Sequence, residues 1–224
     1  MMENNIYNKA YSYEELAVKL LNEKYQDSFE IEEVQSHSYF KGYYTVLAYQ
    51  VDNADCLFRA YVNSDGKAIS DNYVTKIVCA KLADKVAQNL DALGGIYSIF
   101  AEAKIEPKML DHIDLTLDEF LDIYPKNQFT IYINYCPEEK DADEIFKSLE
   151  NALMDISAIN GAIRFFIMDE TMLSKIQDYL ETRDRCYDDY KDMTEEYLVA
   201  VIPFEAGKIK CTKEEFREML ENRL

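Results

Sequence analysis

The chain has 224 residues, 48% hydrophobic and 30% charged, a balance typical of a folded globular protein rather than a disordered one. Its 43 acidic residues against 24 basic ones give a formal net charge of −19, which disfavours binding to nucleic acids and to anionic membranes. The N-terminus has no signal-peptide pattern, no apolar stretch approaches the roughly 20 residues of a membrane span, and the five cysteines form no CxxC pair. These features predict a reduced, soluble, cytoplasmic protein with no nucleic-acid or membrane partner and no cofactor.

The first half predicts a helix, an antiparallel meander and a second helix. In YSYEELAVKLLNEKY the leucines have helical spacing, and Ser12, three residues before Glu15, forms a capping box. The segments SFEIEEV, GYYTVLAYQV and CLFRAYV are typical of strands, and the middle one is apolar on both faces, which indicates a central strand. NSDGK predicts a turn, and a second helix is expected over 73–93, ended by Gly94 and Gly95.

This order of elements resembles a known kind of domain. With GYYTVLAYQVDNADCLFRAYV as the meander and SDNY opening the second helix, the first half is similar to small α+β domains of the cystatin-like or peptidase-propeptide-like type, which occur in uncharacterised proteins of Gram-positive bacteria. The resemblance rests on the order of elements and meets no family motif residue by residue. It implies a fold for the first half, and it carries over no activity and no site residue.

The second half predicts strands that alternate with helices. Residues 96–127 have the least regular pattern, with a short helix expected at TLDEFLDIY, capped by Thr116. After them, FTIYINYC, AIRFFIM and EYLVAVIPFE predict strands, and DADEIFKSLENALMDISAI, DETMLSKIQDYLETRDRCYDDYKD and TKEEFREML predict helices. The predicted fold class is therefore α+β. We expect domains over 1–105 and 106–224, and the alternative is one continuous domain.

The segment CYDDYKDM contains the DDxxD pattern with which isoprenoid synthases hold magnesium. Carboxylates that recur every three or four residues share one helix face, as a hard cation requires. Against a metal site, Lys191 lies inside the pattern, no second acidic motif faces it, and the helix C-terminus disfavours anions. A solvated helix face is the favoured interpretation, and no metal is expected. The metal candidates that remain are Asp184, Asp188, Asp189 and Asp192.

Catalytic motifs are scarce. The sequence has no GxSxG, no GxxxxGK[ST] and no GxGxxG, and its two histidines, His37 and His112, mark no triad. The chain is therefore expected not to be an enzyme. One alternative is a divalent-metal-dependent enzyme that uses the acidic helix 181–192, and another is a small-ligand-binding regulatory module.

Tyrosine and negative charge point instead to protein binding. The chain has 18 tyrosines and no tryptophan, and tyrosine offers a large contact area with a polar end. Residues 106–224 hold 28 acidic against 14 basic residues, a field that steers a basic partner towards the chain. We therefore predict an interaction module of the inhibitor or immunity-protein type that binds a basic protein. The candidate contact residues are Tyr43, Tyr49, Tyr61, Tyr187 and Tyr190.

Overall fold

The computed structural model describes residues 12–38, 42–63, 65–90, 93–105, 114–137, 141–156, 158–181 and 187–222, with only the backbone for 36–38, 55, 181 and 187–189. These residues form seven α-helices and nine strands. In chain order the elements are α1 (Tyr13–Tyr25), β1 (Phe29–Ser38), β2 (Tyr43–Gln50), β3 (Asn53–Asn63), β4 (Ile69–Asp71), α2 (Tyr73–Asn89), β5 (Ile96–Ala103), α3 (Leu117–Ile123), β6 (Phe129–Cys136), α4 (Ala142–Met154), β7 (Gly161–Ile167), α5 (Glu170–Glu181), α6 (Tyr187–Thr194), β8 (Leu198–Glu205), β9 (Lys208–Ile209) and α7 (Lys213–Glu221).

The strands form two sheets, and the predicted α+β fold class is confirmed. The first sheet has the order β1-β2-β3-β4 with every neighbouring pair antiparallel. The second has the order β5-β6-β7-β8-β9, in which β6 and β7 are parallel and the other pairs antiparallel. The helix α4 connects the parallel pair, as a crossover connection requires.

Contacts divide the chain into two compact units, with the boundary after Tyr73. We call them the four-stranded unit, which holds the described residues up to Tyr73, and the five-stranded unit, which holds those from Val74 onward. Compactness is not a test of independent folding, so the domains predicted over 1–105 and 106–224 stay a prediction. In the described part of the chain, no helix has the length and apolar character needed to cross a membrane.

The core of the four-stranded unit is aromatic. Tyr25, Phe29, Phe58 and Tyr73 are each at most 7% exposed, and the rings of Phe58 and Tyr73 lie 4.6 Å apart. The predicted capping box at Ser12 is present at the start of α1. The buried carboxylate of Asp71 accepts hydrogen bonds from the Tyr25 hydroxyl at 2.6 Å and the Tyr73 amide at 3.0 Å. Buried polar groups are thus paired where α1, β4 and the start of α2 meet.

The central position predicted for the GYYTVLAYQV strand is confirmed. This strand, β2, pairs with β1 on one side and β3 on the other. Tyr44, Val46 and Ala48 are at most 1% exposed and point towards the core. Because side chains alternate across a strand, Tyr43 and Leu47 lie on the opposite face, where they are half-buried.

The five-stranded sheet is covered on both faces. On one face the ring of Phe165 in β7 lies 6.2 Å from Phe216 of α7, which in turn lies 5.5 Å from Phe146 of α4. On the other face Tyr132 of β6 packs with side chains of α5 and α6, including Tyr190. The strand β6, which lies inside the sheet between β5 and β7, is consequently buried on both sides, and its residues Ile131 to Tyr135 are all buried.

Several elements differ from the sequence prediction. The stretch 96–127, predicted to be irregular, begins with β5, an edge strand paired along its whole length with β6. The short strands β4 and β9 were not predicted, since two or three residues carry no readable period. The helix α2 ends at Asn89, before the predicted stop at Gly94. The long helix predicted from DETM to YKD corresponds to α5 and α6, and residues 182–186 between them lie outside the described residues.

Candidate functional site

One face of the four-stranded sheet carries half-exposed tyrosine and leucine side chains, and we call it the open face. It faces away from the core side of the sheet, where the Tyr44 ring lies 4.4 Å from the ring of Tyr13 in α1. Alternation along β2 and β3 brings these side chains to one surface because the two strands are adjacent. The open face is formed by Tyr43, Leu47, Tyr49, Leu57 and Tyr61, all of intermediate exposure, and it also carries the exposed cation Arg59 opposite Leu47.

The tyrosine rings of the open face are held by specific contacts. The rings of Tyr43 and Tyr61 meet edge to face, with centroids 5.4 Å apart and planes at 88°. They flank Thr45, which is only 9% exposed. The hydroxyl of Tyr49 donates a hydrogen bond of 2.5 Å to Oε2 of Glu30 in β1. Rings held in this way lose little conformational entropy when a partner covers them.

The strand β1 borders the open face and is strongly acidic. It lies at the edge of the sheet and, among the described strands, pairs with β2 alone. Glu30, Glu32 and Glu33 are exposed on it, and we call these three residues the acidic edge. Charges on an edge strand also protect against edge-to-edge aggregation, which gives the same residues a structural role. The four-stranded unit therefore combines aromatic contact area with negative charge.

The sequence placed two further tyrosines among the contact candidates. Tyr190 is 3% exposed, and its hydroxyl donates a 2.7 Å hydrogen bond to Oδ1 of Asn134, itself fully buried in β6. The ring lies inside the five-stranded unit because the apolar side of α6 packs on the sheet, so Tyr190 does not belong to a surface. Tyr187 lies in α6, but its side chain is not described.

The acidic stretch proposed for metal binding is described in part. Asp192 is exposed on α6, Asp188 and Asp189 are described by their backbone alone, and Asp184 lies outside the described residues. Among the residues that the structure describes, no group of three or more histidine, cysteine or carboxylate side chains converges as metal ligands would. The divalent-metal hypothesis for 181–192 therefore gains no geometric support from the described residues.

Two buried phenols in the four-stranded unit have raised pKa values. Burial, with a smaller contribution from Tyr13, raises the pKa of Tyr44 to about 12. Burial also raises the pKa of Tyr73 above its usual range, and its hydroxyl donates to Oε1 of Gln50 at 2.6 Å. Both phenols stay protonated at neutral pH and act as hydrogen-bond donors. The role of both phenols is structural.

The acidic edge was the part of this surface that sequence reasoning missed. The sequence prediction located the excess of negative charge after residue 106 and did not weigh the three glutamates of FEIEEV. The available signal was a strand pattern interrupted by consecutive charges, which is typical of an edge strand.

Comparisons with known proteins support the fold. No protein-family model matches the chain, and no curated protein matches it. Its structure is similar to the crystal structure of a DUF5037 family protein from Ruminococcus gnavus ATCC 29149, with a TM-score of 0.68 and 12% sequence identity. The match covers 94% of this chain and 99% of that one. At this identity the likeness shows the fold alone, that of an uncharacterised bacterial protein.

Proposed function

We propose that this chain is a protein-interaction module that binds a basic protein through the open face and the acidic edge. The observation that carries the proposal is the position of three half-exposed tyrosines, Tyr43, Tyr49 and Tyr61, beside an edge strand with three exposed glutamates. Tyrosine rings supply contact area, and carboxylates select a cationic partner and speed its approach. A partner of the kind that inhibitors and immunity proteins neutralise, with a basic cleft or lobe, fits this surface.

The net charge of −19 acts in the same direction as the acidic edge. Long-range attraction raises the association rate of a basic protein and is screened by salt. The ring contacts of the open face are short-ranged and little affected by salt. We therefore expect binding in which salt slows association strongly and has a smaller effect on dissociation.

Charge neutralisation at the acidic edge tests the proposal. The wild type and the triple variant Glu30→Gln, Glu32→Gln, Glu33→Gln serve as baits in cell extract at low and high salt, with bound proteins identified by mass spectrometry. A captured protein counts only when its purified form binds the wild type directly. We expect a basic protein that binds at low salt and binds the triple variant at least about tenfold more weakly, since three charge contacts are removed.

The matched control changes the same number of charges elsewhere. Glu214→Gln, Glu218→Gln, Glu221→Gln alters three exposed carboxylates of α7 in the five-stranded unit. This variant is expected to bind as the wild type does. Equal losses for both triple variants would mean that net charge alone attracts the partner, and a partner without a basic surface would contradict the proposal.

The proposal also includes a fold type for the four-stranded unit, a cellular location and the absence of a nucleic-acid partner. A cystatin-like or peptidase-propeptide-like character of the four-stranded unit is supported by α1 packed on an antiparallel meander. A cytoplasmic location is supported by the scattered cysteines, and the lack of a nucleic-acid partner by the acidic charge.

A further inference from the structure

A groove runs between the helix α1 and the edge strand β1. It has a volume of about 920 Å³, and Val18, Phe29 and Ile31 contribute apolar side chains to it. From Glu14 to Glu23 the helix that forms one wall rises about 14 Å, and roughly four residues of extended chain cover the same length. The groove is shallow, and its length matches that of one short strand.

The backbone of β1 turns hydrogen-bonding groups towards this groove. The amide of Phe29 donates to Oδ1 of Asn22 in α1 at 2.9 Å, so this N–H points away from β2. Ile31 lies two residues after Phe29 and pairs in regular register with Ala48. Because the direction of backbone groups repeats every two residues along a strand, the N–H and C=O of Ile31 also point away from β2. At Ile31 the edge thus offers one donor and one acceptor to an added strand.

The charge of the groove selects the occupant. Glu14, Glu15 and Glu23 lie on the helix wall and Glu30 on the strand, and all four are exposed. The lining also contains the basic side chain of Lys19, whose Nζ lies 3.8 Å from Oε1 of Glu23. Its one positive charge is fewer than the four negative charges of the glutamates. Such a lining repels an acidic segment and attracts a cationic one.

Building on the proposed function, we propose that the basic partner binds by strand addition. An extended segment, in which lysine or arginine alternates with apolar residues, pairs with β1 and becomes the next strand of the four-stranded sheet. Its apolar side chains pack towards Val18 and Ile31, and its basic side chains reach Glu30 on the other side of the strand. Main-chain hydrogen bonds hold the segment, and the alternating side chains set its specificity.

A model peptide tests the mode of binding directly. The probe is a capped peptide of alternating lysine and valine, titrated into the full chain by calorimetry. One control peptide carries N-methyl groups on alternate amides, which block strand pairing and keep the charge. The other replaces lysine by glutamate. We expect the N-methylated peptide to bind about tenfold more weakly or worse, and the glutamate peptide not to bind.

Two changes at Ile31 provide the matched test within the protein. Ile31→Pro removes the outward N–H and leaves the ladder to β2 intact, since proline is tolerated on the free side of an edge strand. Ile31→Ala keeps that N–H and removes a similar amount of side chain. The proline variant should lose about tenfold more affinity for the peptide than the alanine variant. In the wild type, the peptide should slow hydrogen exchange at the Ile31 amide.

Each other outcome has a definite meaning. Equal binding of the methylated and unmethylated peptides, with loss on the Glu30, Glu32, Glu33 triple variant, would overturn strand addition and leave the proposed function standing. Absence of peptide binding, or an Ile31 amide already protected in the free protein, would also overturn it. If the Ile31 amide is already protected in the free protein, sedimentation shows which occupant protects it. A dimer indicates a second copy of the chain, and a monomer indicates a segment of the same chain. If the natural partner bound the Glu30, Glu32, Glu33 triple variant as tightly as it binds the wild type, the proposed function itself would be contradicted.

Discussion

The two sheets of this molecule differ in how their interior strands β6 and β2 are buried. In the five-stranded sheet, β6 is buried on both faces, with Tyr132 and Ile133 at 3% and 0% exposure. In the four-stranded sheet, β2 buries Tyr44 and Val46 on one face and leaves Tyr43 and Tyr49 half-exposed on the other. The sheet with helices on both sides leaves few side chains of β6 exposed, whereas the four-stranded sheet keeps aromatic side chains partly exposed on one face.

The two units also differ in what surrounds their carboxylates. Carboxylates of the five-stranded unit are partly offset by nearby cations: Asp143 pairs with Lys213 and with Arg217, whose guanidinium lies 2.6 Å away. Hydrogen bonds from these two cations lower the pKa of Asp143 below its usual range. In the four-stranded unit, the acidic edge lies beside the open face, and Glu30 accepts a hydrogen bond from the Tyr49 hydroxyl.

The largest expected effect comes from a glycine of the five-stranded sheet. A Cβ at Gly161 would lie 1.8 Å from the carbonyl oxygen of Phe129 on the neighbouring strand, so Gly161→Ala must push the two backbones apart. We expect a loss of at least about 4 kcal/mol in the free energy of unfolding, measured with urea. Gly66→Ala in the four-stranded unit meets the movable end of Leu16 and should cost about 1–2 kcal/mol. Equal losses would contradict this account of the two glycines.

Tyr190 and Tyr61 form the next test, because the sequence assigned both to a surface. Tyr190→Ala removes a ring from the core of the five-stranded unit and takes away the donor to Asn134, so we expect a loss of about 3–5 kcal/mol. Tyr61→Ala on the open face should cost about 1 kcal/mol or less and weaken binding of the partner. Urea unfolding gives the first quantity and calorimetry the second. A Tyr61 variant that binds normally would remove the open face from the site.

The smallest effect is expected at high pH. Below pH 10 the Tyr44 phenol is protonated in both states, and its stabilising contribution is fully present. The unfolded phenol ionises near pH 10 while the folded one holds its proton to about pH 12, so stability falls by about 1.4 kcal/mol per pH unit between these values. Tyr44→Phe should make the decline above pH 10 shallower in urea unfolding at pH 9 to 11. An unchanged slope would show that another group causes the decline.

Local patterns predicted much of the fold. Capping boxes at Ser12, Thr116 and Thr212 mark the starts of α1, α3 and α7, because side-chain and backbone groups only three residues apart decide them. The strand-like composition of FTIYINYC predicted β6, whose bounds match that segment. The strand β5 was not predicted. Its partner β6 lies some thirty residues away in sequence, and pairing over that distance produces little pattern in the local sequence.

The candidate site was less predictable than the fold. The sequence identified Tyr43, Tyr49 and Tyr61 as contact candidates because tyrosine combines a large contact area with a polar end. It could not show that β1 lies at the sheet edge, because strand order depends on tertiary pairing. It also placed Tyr190 on the surface, although the helical spacing of its segment is compatible with the buried stripe in which the ring lies.

The proposed binding surface is tested most directly by a map of amide chemical shifts on the full chain during titration with the basic partner protein that the wild type captures. If the open face and the acidic edge form the binding surface, the perturbed amides will cluster on β1, β2 and β3, around Glu30, Tyr49 and Tyr61. Perturbation centred on the acidic helices α6 or α7, or spread evenly over all exposed carboxylates, would contradict the account.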